Sequence, residues 1–194
     1  MKTVDYYNQY ADDFAEATLY VDMESLYQPF LAELPESAQI LDVGCGSGRD
    51  TLAFKNKGYH VDAIDYSDEL VNKATALSGV KVKYQSFYDL SGVAIYDGVW
   101  ACASLLHCER SRLAEVIGKL IFALKPGGVL YMSFKYGNSD REKDGRQFTD
   151  LDEAQANDLL EQFDNVQQIQ QWITLDKRPE RQEKWLNLIW KKHA

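Results

Sequence analysis

Residues 41–50 read LDVGCGSGRD, with glycine at every second position: Gly44, Gly46 and Gly48. The stretch follows the apolar run AQILDVG (38–44), which reads as a buried strand. A glycine-rich turn after such a strand brings backbone close to a nucleotide-like ligand. Which ligand is decided by the neighbours. The dinucleotide pattern G-x-G-x-x-G, started at Gly44, would need glycine at position 49, where Arg49 stands. A P-loop would need Gly-Lys-Ser/Thr, which the chain lacks. The pattern present is D-x-G-x-G-x-G, with Asp42 two residues ahead of Gly44. A carboxylate at the mouth of a phosphate loop is electrostatically unfavourable. It suits a cofactor that carries a cation and no phosphate, as S-adenosylmethionine does with its ammonium and sulfonium.

Outward from the loop, RDTLAFKNKG (49–58) reads as a helix ending at Gly58, and YHVDAID (59–65) as a second strand. Asp65 closes that strand, 17 residues after Gly48. An acid there can accept hydrogen bonds from both ribose hydroxyls of an adenosine. Ser67 is placed to N-cap the following helix, with Asp68 and Glu69 in its first turn. VKVKYQSF (80–87) alternates as a third strand and IYDGVWACAS (95–104) reads as a fourth. RLAEVIGKLIFALK (112–125) is an amphipathic helix, KPGG (125–128) a turn, and VLYMSFKYG (129–137) a fifth strand. NSDREKDGRQ (138–147) reads as a polar loop and Asp152 to Phe163 as a helix. NVQQIQQWITL (165–175) and EKWLNLIWKK (183–192) form a last pair of strands. Ahead of all this, Tyr6, Tyr10 and Phe14 recur at helical spacing, and Leu26, Phe30, Leu31 and Leu34 make a second stripe that Pro35 ends.

Alternating strands and helices imply a parallel sheet covered on both faces, with the short final link favouring an antiparallel pair at one edge. The fold class is α/β, Rossmann-like and doubly wound, with an N-terminal helical extension. Ligands of such sheets lie beyond the carboxyl ends of the strands, where the glycine loop sits.

ILDVGCGSGRD, AIDYS, YDGVWACASLLH and LKPGGVLYMSFKYG, in this order and at these separations, resemble the class I S-adenosylmethionine-dependent methyltransferases. Within them the chain is most similar to small bacterial methyltransferases, some labelled tellurite-resistance-type proteins. The resemblance covers about Tyr6 to Trp190. It implies a seven-stranded sheet of order 3-2-1-4-5-7-6 with strand seven antiparallel. It implies a single domain over 1–194, with 1–36 as a helical cap and 37–194 as the core. It implies that S-adenosylmethionine is the cofactor and S-adenosylhomocysteine the product. Asp42 and the backbone of Gly44 and Gly46 would meet the methionine portion, with Gly48 completing the loop. Asp65 would take the ribose and Tyr66 would lie along the adenine. Ser86 and Phe87 fall where relatives carry an acid for the adenine amino group, and Asp89 is the nearest replacement. Cys102 and Ala103 would pass their backbone near the methionine amino group.

For chemistry on the acceptor, His107 lies in the segment that faces the reacting methyl in the family, and its ordinary pKa of about 6.5 suits a base. Packing of its loop is the other reading. Tyr6, Tyr7 and Tyr10 belong to a helix that lies over the cofactor in relatives, or to a plain aromatic core stripe. Tyr10, Arg146 and Arg178 are candidates for substrate contact. The arginines could hold an anion by bidentate bonds, or be solvated beside the neighbouring acids Asp140, Glu142, Asp144 and Glu180. No metal site is expected, because Cys102, His107 and Cys108 match no ligand spacing.

Composition bounds the partners. The chain has 194 residues and a net charge of −9, which disfavours a nucleic-acid substrate. No apolar run approaches the roughly 20 residues of a membrane span. MKTVDYYNQYADDF has no apolar signal core, and three cysteines are too few for a disulfide framework, so the expected location is cytoplasmic. There is no Asn/Asp-Pro-Pro-Tyr/Phe tetrapeptide of base-methylating enzymes. A small-molecule acceptor is expected, on a monomer or a homodimer.

Overall fold

The computed structural model describes residues 2–179 and 181–194. Three short helices come first: α1 (Thr3–Gln9), α2 (Ala11–Leu19) and α3 (Glu24–Leu31). Strands and helices then alternate: β1 (Gln39–Val43), α4 (Arg49–Asn56), β2 (His60–Asp65), α5 (Asp68–Ser78), β3 (Lys83–Tyr84), β4 (Tyr96–Ala101), α6 (Arg110–Ala123) and β5 (Leu124–Lys135). A hairpin, β6 (Asp140–Lys143) and β7 (Arg146–Thr149), precedes α7 (Glu153–Leu160), β8 (Val166–Leu175) and β9 (Lys184–Lys192). The main sheet runs β3-β2-β1-β4-β5-β9-β8. Its first five strands are parallel, and β9 enters antiparallel to both β5 and β8. With β8 and β9 as the sixth and seventh strands of the sheet proper, this is the expected order.

Local chemistry explains the element ends. Ser67 Oγ accepts from Leu70 N at 3.2 Å, the expected N-cap of α5, and Gly79 ends that helix at φ +65°. Asp152 and Gln155 form a capping box on α7. Period-two burial sorts the strands between two faces. Leu41, Val99, Leu130, Met132 and Leu188 pack under α6, on the side of Leu113, Val116, Ile117 and Leu120. Ile40, Trp100, Tyr131 and Ile189 point the other way, towards Tyr27 and Phe30 of α3 and Phe54 of α4. There the Trp100 and Tyr131 rings stack at 3.9 Å. Truncating one such buried aromatic costs about 3–5 kcal/mol.

Three expectations are corrected. The third strand is reduced to Lys83–Tyr84 rather than 80–87, since only Ile64 and Asp65 pair with it. The N-terminal stripe bends at Tyr10 (φ −112°, ψ 27°), giving two helices rather than one. The polar loop 138–147 contains β6 and the start of β7, joined by a tight turn at Asp144 (φ +54°) and Gly145 (φ +75°). Asp-Gly is a favoured pair for a two-residue hairpin turn, so its signal was present in the sequence. No described helix is long and apolar enough to cross a membrane.

Candidate functional site

The carboxyl ends of β1, β2, β4 and β5 open into two adjoining cavities. The smaller, about 280 Å³, is lined by Asp65, Tyr66, Gln85, Ser86, Phe87 and Ser104 among others. The larger, about 430 Å³, is bounded by Cys102, Ser133 and Lys135 of the sheet, by α1 and α2, by the β6–β7 hairpin and by the start of β9. Tyr7, Phe14, Gly44, Gly46, Ala103 and His107 wall both. The two are ends of one cleft, divided by aromatic side chains from the N-terminal helices.

The glycine loop is shaped by its contacts. Gly44 stands at φ +68°, and a Cβ there would lie 2.5 Å from Ser104 Cβ. Only glycine permits both the left-handed backbone and that approach. Phe14 covers Gly46, its Cε1 2.9 Å from where a Cβ would stand. Gly48 serves a different end from the one expected: it lines neither cavity and lets α5 approach, Ala74 Cα being 2.8 Å from its would-be Cβ.

Asp65 is at the cavity wall. Its Oδ2 accepts from Gly46 N and its Oδ1 from Ser67 N, each at 2.9 Å. Burial raises its pKa, and these amides oppose the rise. Each carboxylate oxygen has a further acceptor site beyond these bonds. Asp42, in contrast, does not reach the cleft. It is 2% exposed and accepts from Thr51 Oγ1 at 2.6 Å. Burial and the charge of Asp50 push its pKa up, and its recorded side-chain bond goes to Thr51 of α4.

Asp50 is the residue that reading the sequence did not single out. It accepts from Tyr27 Oη (2.5 Å), Trp100 Nε1 (2.8 Å) and Arg49 Nε and Nη2 (2.6 and 3.0 Å). Burial alone would raise its pKa, but Arg49, Tyr27 and Trp100 hold it below the usual range. Arg49 Nη1 also donates to the Thr18 carbonyl at 3.3 Å, so the pair ties α2, α3, α4 and β4 together beside the glycine loop. An acid at a helix start reads from sequence as a dipole partner; only the long-range contacts reveal the anchor.

After β4, Ala103 adopts φ +51° and donates its N–H to Ser133 Oγ at 2.8 Å. A non-glycine residue there costs roughly 1–2 kcal/mol. Cys102 lines the larger cavity. Ser104 Oγ is buried with no hydrogen-bond partner among the described residues. His107 is half-buried, its Nδ1 2.7 Å from the Gln147 carbonyl and its Nε2 2.8 Å from Tyr7 Oη. A carbonyl only accepts, so Nδ1 carries the proton and Nε2 is the acceptor. Burial, then the nearby Arg146 and Lys135, lower the His107 pKa to about 4 against the Gln147 bond, so the ring is neutral at pH 7.

At the adenosine end, Ser86 and Phe87 line the cavity, while Asp89 is exposed and does not. Tyr66 lines it too, but its ring stacks on Tyr84 at 5.1 Å and is half exposed. Of the expected substrate residues, Tyr10, Arg146 and Arg178 all line the larger cavity. Arg178 is committed to Asp176 through bonds of 2.9 and 2.5 Å. Glu180 lies outside the described residues. Among them, no three His, Cys, Asp or Glu side chains gather as a metal-ligating group.

A cleft with an acid at the end of β2, a left-handed glycine turn and a buried unpaired hydroxyl fits a ligand rich in donors. Residues 40–128 match the family model described as a methyltransferase domain. That segment carries a methyltransferase domain. The chain is 25% identical, over 88% of its length and 87% of the relative, to an uncharacterised methyltransferase of Staphylococcus carnosus. It is 37% identical to a ubiquinone biosynthesis O-methyltransferase of Xylella fastidiosa, over 50% of this chain and 41% of that protein. The chain thus spans less than half of the latter's length. Among solved structures, the Burkholderia thailandensis 1,6-didemethyltoxoflavin-N1-methyltransferase, bound to its substrate and S-adenosylhomocysteine, superposes with a TM-score of 0.79 at 22% identity. That match covers 98% of this chain and 85% of that one.

Proposed function

We propose that the chain transfers the methyl group of S-adenosylmethionine to a small-molecule acceptor (EC 2.1.1.-). The observation that carries this reading is the single cleft in two parts, whose shared wall includes His107. The smaller part takes the cofactor. Asp65 accepts from the ribose hydroxyls, Phe87 and Ser86 border the adenine, and Tyr66 shields its edge. Gly44 and Gly46 bring backbone to the methionine portion, and the Cys102 and Ala103 carbonyls accept from its ammonium. The cofactor supplies an activated methyl group, so the protein's task is alignment and exclusion of water. A cavity of about 430 Å³ suits a small molecule rather than a macromolecule. The helices of residues 1–36 act as the cap that closes it, with Tyr7 and Phe14 at the partition.

His107 is the proposed base. Its Nδ1–H is fixed by Gln147, which leaves the Nε2 lone pair facing the cleft. Tyr7 Oη holds the place, 2.8 Å from Nε2, that an acceptor hydroxyl or amine would take. The proton leaving the acceptor goes to Nε2 once Tyr7 swings aside. The competing reading is a binder without turnover, for which the weak basicity of His107 speaks.

The test is calorimetric titration with S-adenosylmethionine, S-adenosylhomocysteine and NAD, then label transfer from methyl-labelled cofactor to phenols, heterocyclic amines, thiols and tellurite. Micromolar binding of both adenosyl compounds, none of NAD, and label on one acceptor class is the expected result. Tellurite as that acceptor would make the tellurite-resistance likeness functional. Binding with no transfer to any acceptor would favour the non-catalytic reading.

A further inference from the structure

The chain is strongly acidic, yet the acceptor end of the cleft is walled by cations. Acids line it too, and the partners of four of these cations separate them into two groups. Arg49 and Arg178 are each closed on one carboxylate by two side-chain hydrogen bonds, to Asp50 and Asp176. Lys135 and Arg146 are not. Lys135 ends β5 with its side chain 11% exposed, and its recorded anion is Glu183 at 3.5 Å, itself shared with Arg181 at 3.9 Å. Arg146 has its side chain 17% exposed; among the described residues its one close side-chain hydrogen bond is 3.2 Å to Asp144, whose side chain is 56% exposed, and Arg146 also acts on the Tyr7 hydroxyl beside it. Its Nε is buried with no hydrogen-bond partner among the described residues.

Both cations flank one ring. Lys135 Nζ is 5.2 Å and Arg146 Cζ 5.3 Å from the Phe148 centroid. Arg146 also lies 3.9 Å over the Tyr6 ring, and Lys135 5.8 Å from Trp185. Removing two like charges from water at one wall costs several kcal/mol per ion unless anions compensate them, and the carboxylates present, Glu183 at 3.5 Å and Asp144 at 3.2 Å, are well exposed and offer one contact each. The rings supply a flat apolar lining beside the charges.

We infer that Lys135 and Arg146 form an anion subsite, and that the methyl acceptor presents an oxyanion, a carboxylate or its inorganic equivalent, to them across the Phe148 ring. The inference rests on the methyltransferase reading for the word acceptor, but the subsite can be tested on its own. The Arg146 guanidinium still has its Nε–H and further N–H groups to give, which suits the two oxygens of a carboxylate. Lys135 adds a point charge at a similar distance from the same ring. The field of the two cations also keeps protons off His107, and a bound anion offsets that field.

The experiment uses the full chain saturated with S-adenosylhomocysteine. It is titrated calorimetrically with 4-hydroxybenzoate, with the neutral isostere 4-hydroxybenzamide, and with tellurite. The expected result is at least tenfold tighter binding of the acid than of the amide. Arg146→Gln and Lys135→Met should each erase that preference while changing S-adenosylhomocysteine affinity less than twofold. Binding of tellurite in place of the benzoate, lost in the same variants, upholds the subsite and assigns it to an inorganic oxyanion. Equal or undetectable binding of acid and amide with tellurite silent overturns the inference. So does an acid preference that survives both substitutions. A wild-type chain that fails to take S-adenosylhomocysteine would sink the methyltransferase reading instead. The acid–amide comparison on the cofactor-free chain would then decide the subsite by itself.

Discussion

The two ends of the cleft are built differently. At the cofactor end the contacts are short in sequence and run largely through backbone. Asp65 receives the Gly46 and Ser67 amides, 19 and 2 residues away, and Gly44 fits only because it has no side chain. At the acceptor end the contacts are long-range and between side chains. Tyr7 meets His107 across 100 residues, and Arg146 covers Tyr6. Backbone geometry tolerates little variation, whereas side chains on a hairpin and on short helices can change without disturbing the sheet. The first end is therefore suited to a fixed cofactor and the second to a variable acceptor.

If this contrast holds, damage should scale with how much scaffold each residue ties together. Asp50→Ala removes the acceptor of four bonds and leaves the partly buried Arg49 guanidinium with only the Thr18 carbonyl among the described residues. It should destabilise the chain by about 3–5 kcal/mol in urea denaturation. A loss below 1 kcal/mol would mean that the anchor is not shared between the helices.

The acceptor end should lose turnover rather than binding. His107→Ala is expected to lower kcat about a hundredfold, with cofactor affinity nearly unchanged. Unaltered kcat would return the residue to packing between Tyr7 and Gln147. The pH profile sharpens the point. With a pKa of about 4, His107 stays neutral on acidification until well below pH 6, so the acid limb of kcat should lie near 4 rather than at its ordinary value. Stability has a definite sign as well. Between pH 6.5 and about 4 the unfolded chain takes up a proton that the folded ring refuses, so this residue makes stability fall as pH falls through that window. His107→Gln should flatten that part of the stability curve.

At the cofactor end, Asp65→Ala should weaken S-adenosylhomocysteine binding about tenfold or more, the worth of one charge-assisted bond. Unchanged affinity in calorimetry would remove the ribose role from Asp65 and break the comparison at its first term. The smallest effect belongs to a pair in neither region. Lys57→Ala releases the exposed partner of Glu24 and should cost less than about 1 kcal/mol in the same urea assay.

Much of the scaffold was legible in particular residues. The apolar run before Gly44, the alternation through Tyr131, and the Ser67 cap each specified an element by local chemistry, and the strand order followed from the family likeness. The hairpin at Asp144-Gly145 was equally local but hidden in a charged stretch. The third strand was read too long because VKVKYQSF alternates, while strand pairing depends on what lies beside it. Asp42 misled for a related reason: its position near the glycine loop is a fact of sequence, whereas its direction is set by Thr51.

By itself, the sequence determined the alternating architecture, the glycine-rich turn and the acid at the end of β2, because these depend on periodicity, on absent side chains and on spacing within one βαβ unit. Only the tertiary structure decided that Arg178 is closed on Asp176 while Arg146 keeps a buried Nε without a partner among the described residues, that His107 is held between Tyr7 and Gln147, and that Asp50 with Arg49 ties four elements together. Those outcomes turn on which charges are desolvated together, and desolvation is a property of the packed chain rather than of any segment.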